Sequence, residues 1–273
     1  MSSVKWGLAE KVARRFAGRY PLADTYHTAI LRRDAPSIVA EAAALVAEET
    51  RLTAPGSPEV LVVDRGDWVR ANLSVFSQLL APVEQRLAER KSGIGSRLAE
   101  RIMAVEVGAV LGLMARRVLG QYEMVLPTAD GSAGDQVMFV GANVLEMERR
   151  HEFRPAEFRF WVALHECTHR LQFTGVPWLR DHFLALVGEL VELSVPGPGR
   201  MARVREEIRR SAEAGEPLIG EAGLMGLLAT DEQKHLIDKI QALMSLLEGH
   251  GHVVMDRIGA VRLLGQRRMS RIL

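Results

Sequence analysis

The sequence predicts a mainly helical α+β fold carrying a small sheet, on three observations. Long stretches place apolar residues three and four apart, the repeat of one helix face. Short valine-rich runs at 59–64, 122–126 and 136–140 read as strands that together make a small sheet. One helical stretch, opening at Pro155 and closing near Gly175 and Pro177, contains His165-Glu166-Cys167-Thr168-His169.

Taken in order, 4–53 reads as three helices, with Pro21 and Pro36 marking helix starts. Ala54-Pro55-Gly56-Ser57-Pro58 is a turn cluster leading into the first strand. Helices follow over 67–90 and 96–119, broken by Ser92-Gly93-Ile94-Gly95, and the second and third strands are joined by a loop too long for a tight hairpin. Beyond Pro155 the pattern is helical at 155–174, 178–193, 200–214, a short piece near Leu224, and 231–258, with Pro196-Gly197-Pro198-Gly199 as a break. Thr230 with Gln233 three residues later predicts a capping box at the start of the last helix.

Composition narrows the function classes. The 273 residues hold 35 Lys plus Arg against 34 Asp plus Glu and are 48% hydrophobic, an ordinary globular balance. A chain of this length buries about three quarters of its unfolded surface without staples. We read 1–273 as a single domain with a helical part at 1–58 and a sheet-containing part at 59–273. The net charge of +1 is not gathered into a block, which argues against nucleic acid or an anionic membrane as partner. Cys167 is the single cysteine, so no intramolecular disulfide forms and a reducing, cytoplasmic setting is expected. Lys5, Glu10, Lys11, Arg14 and Arg15 interrupt the N-terminal stretch, which reads as an amphipathic helix and not a signal peptide. The longest apolar stretch, 107–115, is far short of the ~20 residues of a membrane span. Oligomeric state is not legible.

His165 and His169, four apart on a helix, share one face and can grip a Zn²⁺ ion at ~2.0–2.1 Å from each nitrogen. Glu166 sits beside that face, placed as the general base that takes a proton from water as it attacks a polarised carbonyl. Eight histidines in 273 residues make this pattern rare by accident. Cys167 projects about 200° away from both histidines at 100° per residue, so it reads as a packing residue.

The third ligand is a contest between two glutamates. Glu189 follows His169 by twenty residues, but a hairpin through Gly175-Val176-Pro177 leaves it ~7.5 Å beyond the metal at 1.5 Å rise per residue. Glu248 is preferred: it lies on the flank of an apolar stripe, where its carboxylate needs a cation or hydrogen-bond partner. The nearby Gly249 and Gly251 suggest close approach of another backbone or of substrate. His250 and His252 are candidates for orienting a ligand or touching substrate.

The residues Phe158-Arg159-Phe160-Trp161-Val162-Ala163-Leu164 before the motif, and His169-Arg170-Leu171-Gln172-Phe173 at its end, resemble a bacterial zincin-like family. Val176-Pro177-Trp178-Leu179-Arg180, Glu248-Gly249-His250 and Asp64-Arg65-Gly66-Asp67-Trp68-Val69-Arg70-Ala71-Asn72 extend the likeness over most of the chain. The family's members are described as hydrolases or zinc-dependent metalloproteases, often in association with biosynthesis of a deazaflavin coenzyme. The resemblance implies a zincin-like metalloprotease fold with the sheet near the H-E-x-x-H helix. It also implies Zn²⁺ as cofactor and a peptide or protein as substrate, with the helix-borne Glu248-Gly249 pair supplying the glutamate ligand. Val137-Met138-Phe139-Val140 would be the edge strand that holds extended substrate. No nucleotide- or flavin-binding pattern is present, so the coenzyme is not predicted as a ligand. Two other readings stand beside the peptidase: a non-catalytic binding or scaffold protein with a structural metal, and a small-molecule amidohydrolase.

Overall fold

The computed structural model describes residues 5–88, 94–124, 135–193 and 230–272. The chain opens with α1 (Trp6–Ala17) and α2 (Tyr26–Thr50), then β1 (Glu59–Val63), α3 (Arg65–Ala88) and α4 (Ile94–Met114). β2 (Gly120–Met124), β3 (Asp135–Val140), α5 (Gly141–His151), α6 (Pro155–Gly175) and α7 (Leu179–Leu193) follow. The described chain closes with α8 (Asp231–Arg262) and α9 (Gln266–Ile272). The helices expected at 200–214 and near Leu224, and the Pro196–Gly199 break, lie outside the described residues.

Two helices, not three, occupy the N-terminal stretch, because Pro36 lies inside α2. An interior proline removes one helical hydrogen bond and costs ~3 kcal/mol. It is tolerated here because Leu31, Ala35, Val39, Ala42 and Val46 form one continuous buried stripe that keeps the helix docked on both sides of it. α5 was not anticipated: it starts directly from β3, buries Val144 and Leu145, and ends on three basic residues that suit the negative end of the helix dipole. The capping box is present, with Thr230 Oγ1 accepting from the Gln233 N–H and the Gln233 side chain accepting from the Thr230 N–H.

The sheet has strand order β1-β3-β2, with β1 parallel and β2 antiparallel to β3. The register sets Val60 and Tyr122 on either side of Val137. This corrects the expectation that Val137–Val140 is an edge: β3 is paired on both sides, and β2 is the edge strand that lies against α6. The reason is physical. The most apolar strand of a small sheet is its centre, and Val137 to Val140 are at most 1% exposed.

Two cores result. One is built by α2, the sheet, α6 and α8 around Phe139, Phe158, Leu164 and Leu171. The other lies between α1, α3 and α4, around Ala9, Ala13, Ala17, Trp68, Val69 and Leu111. In the second, the small faces of α1 and α4 meet closely: a Cβ at Gly108 would stand 2.5 Å from the Ala9 carbonyl oxygen, and one at Gly112 2.5 Å from that of Ala13. Both obstacles are backbone and cannot swing aside. Gly112→Val is therefore expected to force the helices apart at a cost of about 1–3 kcal/mol, read as a lowered midpoint of thermal unfolding.

Candidate metal centre

α6 is the central element of the site. Pro155 occupies its first turn, where a missing N–H costs nothing, and its flanks bury Phe158, Val162, Ala163, Leu164, Cys167 and Leu171. Two buried arginines fix its ends. Arg159 makes a paired contact with Glu148 of α5, at 2.7 and 3.0 Å. Arg170 grips Asp135 at the start of β3, with Nε 2.7 Å from Oδ1, and donates to the carbonyls of Pro55 and Gly56 at 3.0 and 3.1 Å. Arg170 itself is 2% exposed whereas Asp135, Pro55 and Gly56 reach solvent, so Arg170→Ala would leave partners that water can partly satisfy, and a loss of roughly 1–3 kcal/mol in denaturant unfolding is expected.

His165 and His169 project from one face of α6, and α8 brings Glu248 to them. The His169 Nε2 and His165 Nε2 atoms are 3.1 Å apart. Glu248 Oε1 lies 3.4 Å from His169 Nε2, and its Oε2 lies 3.9 Å from His165 Nε2. Tetrahedral ligands ~2.0–2.1 Å from a zinc ion stand ~3.4 Å from one another, and one ligand atom from each of the three residues lies within 4.8 Å of the other two, close to what one ion requires. Among the described residues this is the one group of three His, Cys, Asp or Glu side chains within reach of a common ion. The Glu248 side chain is 44% exposed against 12% for His169, so the cluster opens to solvent on the α8 side. There an open groove is lined by Met244, Ser245, Glu248, Gly249 and His252.

Electrostatics suit a cation. Burial, helped by the charges of His169 and His252, pushes His165 down to about 3, so its imidazole is neutral and offers a lone pair. Glu166 is 5% exposed. Burial, and secondarily the Glu248 charge, pushes its carboxyl up to about 8 against the opposing pull of one hydrogen bond. That bond comes from the backbone N–H of Tyr122 on β2, 2.8 Å from Glu166 Oε2. The carboxylate fits there because position 120 is glycine: a Cβ on Gly120 would stand 2.6 Å from Glu166 Oε1.

Other expected residues fall as follows. Glu189 is exposed on α7 and takes no part in the cluster. Cys167 is fully buried on the opposite flank, its thiol donating to the Val39 carbonyl at 3.6 Å. His250 and His252 are both exposed. His252 borders the groove, whereas His250 is joined to the cluster indirectly, through Gln172. The expectation of a close approach at the glycines of α8 is not met: a Cβ on Gly249 would meet nothing within 4 Å, and one on Gly251 only a Thr168 methyl at 4.0 Å.

Three contributors went unread in the sequence: Gly120, the Tyr122 N–H and Gln172. Gln172 alone carried a signal, since it is three residues beyond His169 and seven beyond His165, on the same helix face.

The profile of the zincin-like metallopeptidases matches residues 4–273. The chain belongs to this family. No curated protein matches it. Among solved structures it is similar to one from Chloroflexus aurantiacus described as a "putative hydrolase with a novel fold". The two share 28% identity with a TM-score of 0.68, over 98% of this chain and 74% of the other. A zincin-like metallopeptidase is thus expected to hold a metal through its H-E-x-x-H helix, and the donor set here, two imidazoles and a carboxylate, is a composition zinc favours. Among the described residues, no helix is long and apolar enough to cross a membrane.

Proposed function

We propose that this zincin-like metallopeptidase is a zinc-dependent hydrolase of peptide bonds, with His165, His169 and Glu248 as ligands and Glu166 as general base. The convergence of the three donor atoms, from two helices far apart in sequence, carries the reading. Bound there, a Zn²⁺ ion supplies Lewis acidity, with three protein ligands leaving room for a fourth.

The chain's own residues supply the rest. Glu166, fixed at one oxygen by the Tyr122 N–H, keeps the other oxygen available for a proton. In its ionised form this carboxylate takes a proton from attacking water and, once protonated, can return it to the departing amine nitrogen. An extended peptide would add to β2, the edge strand that lies against α6 and whose Tyr122 N–H reaches Glu166. The open groove beside Glu248 offers Met244 and Gly249 as an apolar wall, with Ser245 and His252 as polar contacts for the same substrate.

The test is metal content together with activity. Purified protein is expected to carry one zinc per chain and to cleave members of a peptide library, with cleavage abolished by a chelator and restored by zinc. A chain that takes up no zinc overturns the reading. Zinc uptake with hydrolysis of small amides but of no peptide would move the substrate class to small molecules.

A further inference from the structure

Gln172 is 3% exposed, and its side chain meets three groups. Its Nε2 lies 2.9 Å from the backbone carbonyl of Leu247 and 2.8 Å from His250 Nδ1, and its Oε1 lies 3.0 Å from His169 Nδ1. The chemistry of these partners fixes every proton. A carbonyl can only accept, so the amide NH₂ must face Leu247, and the amide oxygen is left facing His169. That oxygen can only accept, so His169 must carry its hydrogen on Nδ1, which leaves the Nε2 lone pair directed at Glu248 and His165.

Leu247 is the residue immediately before Glu248. The same amide therefore reads the position of α8 at one end and sets the tautomer of His169 at the other. Without the Leu247 carbonyl, nothing would stop the amide turning over and donating to His169 Nδ1, which would put the hydrogen on Nε2 and block the lone pair. We propose that Gln172 is a positioning residue that couples docking of the α8 helix, and so of Glu248, to the metal-binding tautomer of His169. The proposal rests on the metal reading above. It adds that the two ligand-bearing helices are made competent together by one side chain that touches no metal.

The experiment is zinc titration against a competing chelator, with the visible spectrum of the Co²⁺-loaded protein as a second readout, on wild type, Gln172→Met and Gln172→Glu. Gln172→Met fills nearly the same space without polar groups and is expected to bind zinc 10- to 100-fold more weakly, with altered Co²⁺ bands. Gln172→Glu, as a neutral carboxyl at this buried position, can donate its O–H to the Leu247 carbonyl while its other oxygen accepts from His169 Nδ1–H, so it keeps both contacts and is expected to recover affinity and spectrum toward wild type. A residue that merely fills the core predicts the reverse order, with methionine tolerated and a buried carboxylate harmful. Wild-type affinity in Gln172→Met, or weaker binding in Gln172→Glu than in Gln172→Met, overturns the proposal. If the glutamate variant does not fold, by circular dichroism, the methionine variant decides alone. Wild type that binds no zinc overturns the metal reading and this proposal together, whereas zinc bound equally by wild type and Gln172→Met overturns only the coupling.

Discussion

Glu166→Gln is expected to leave the protein folded and zinc-loaded while lowering peptide hydrolysis by about 10²–10⁴-fold. The amide keeps an oxygen to accept the Tyr122 N–H, and it matches the carboxylate in size beside Gly120, so the local packing survives. It cannot accept a proton from water, so the chemical step alone is lost. The variant should also show a stability change of definite sign in metal-free protein. Burial raises the Glu166 carboxyl to about 8, above its unfolded value of ~4.3, so the folded state binds more protons between those limits. Its stability therefore falls as pH rises from ~4.3 to about 8, where the cost of the buried charge is fully present. Glu166→Gln removes that cost. Metal-free variant and wild type should unfold together near pH 4, and the variant should be the more stable at pH 8, as thermal unfolding at the two pH values will show. If the variant instead retains the wild-type rate of hydrolysis, Glu166 is not the base; if biological function survives with no hydrolysis at all, the protein acts as a scaffold.

The second large effect concerns the third ligand. Glu248→Ala is expected to weaken zinc binding by more than about 100-fold, beyond the loss from removing a residue that merely supports a ligand, whereas Glu189→Ala leaves it unchanged. Glu248 is substantially exposed, so the folded metal-free chain should change by no more than about 0.5 kcal/mol. Loss of binding would then report on coordination and not on unfolding. Chelator competition on both variants decides the matter. Equal zinc affinity in Glu248→Ala and wild type would remove Glu248 from the ligand set.

The family resemblance and the site were legible for different reasons. His165 and His169 are joined by a local rule: one helical turn puts them together whatever surrounds the helix. Glu248 was legible less directly, because a carboxylate on the flank of an apolar stripe needs a partner, but nothing local says which one. Its meeting with the histidines depends on how α8 packs on α6. The exclusion of Glu189 followed from a hairpin argument, and Glu189 is exposed on α7.

Errors in the sequence reading share a cause. Pro36 was read as a helix start because propensity is local, while the buried stripe from Leu31 to Val46 that carries the helix through it is made by tertiary packing. The strand at 137–140 was read as the substrate edge because it is the most apolar, yet apolarity marks burial between two neighbours. Gly249 was read as a point of close approach, and a Cβ there would meet nothing within 4 Å.

By itself, then, the order of residues determined the periodic helices, the short strands, the capped start of α8 and the pair of imidazoles on one helical face. Each of these follows from contacts within a few positions along the chain. Only the tertiary structure decided that Glu248 meets His165 and His169, that Gly120 and the Tyr122 N–H cradle Glu166, and that Gln172 spans from Leu247 to His169. These depend on distances between elements whose contacting residues are separated by 44 to 83 positions, which are set when apolar faces dock in a common core and which no local pattern encodes.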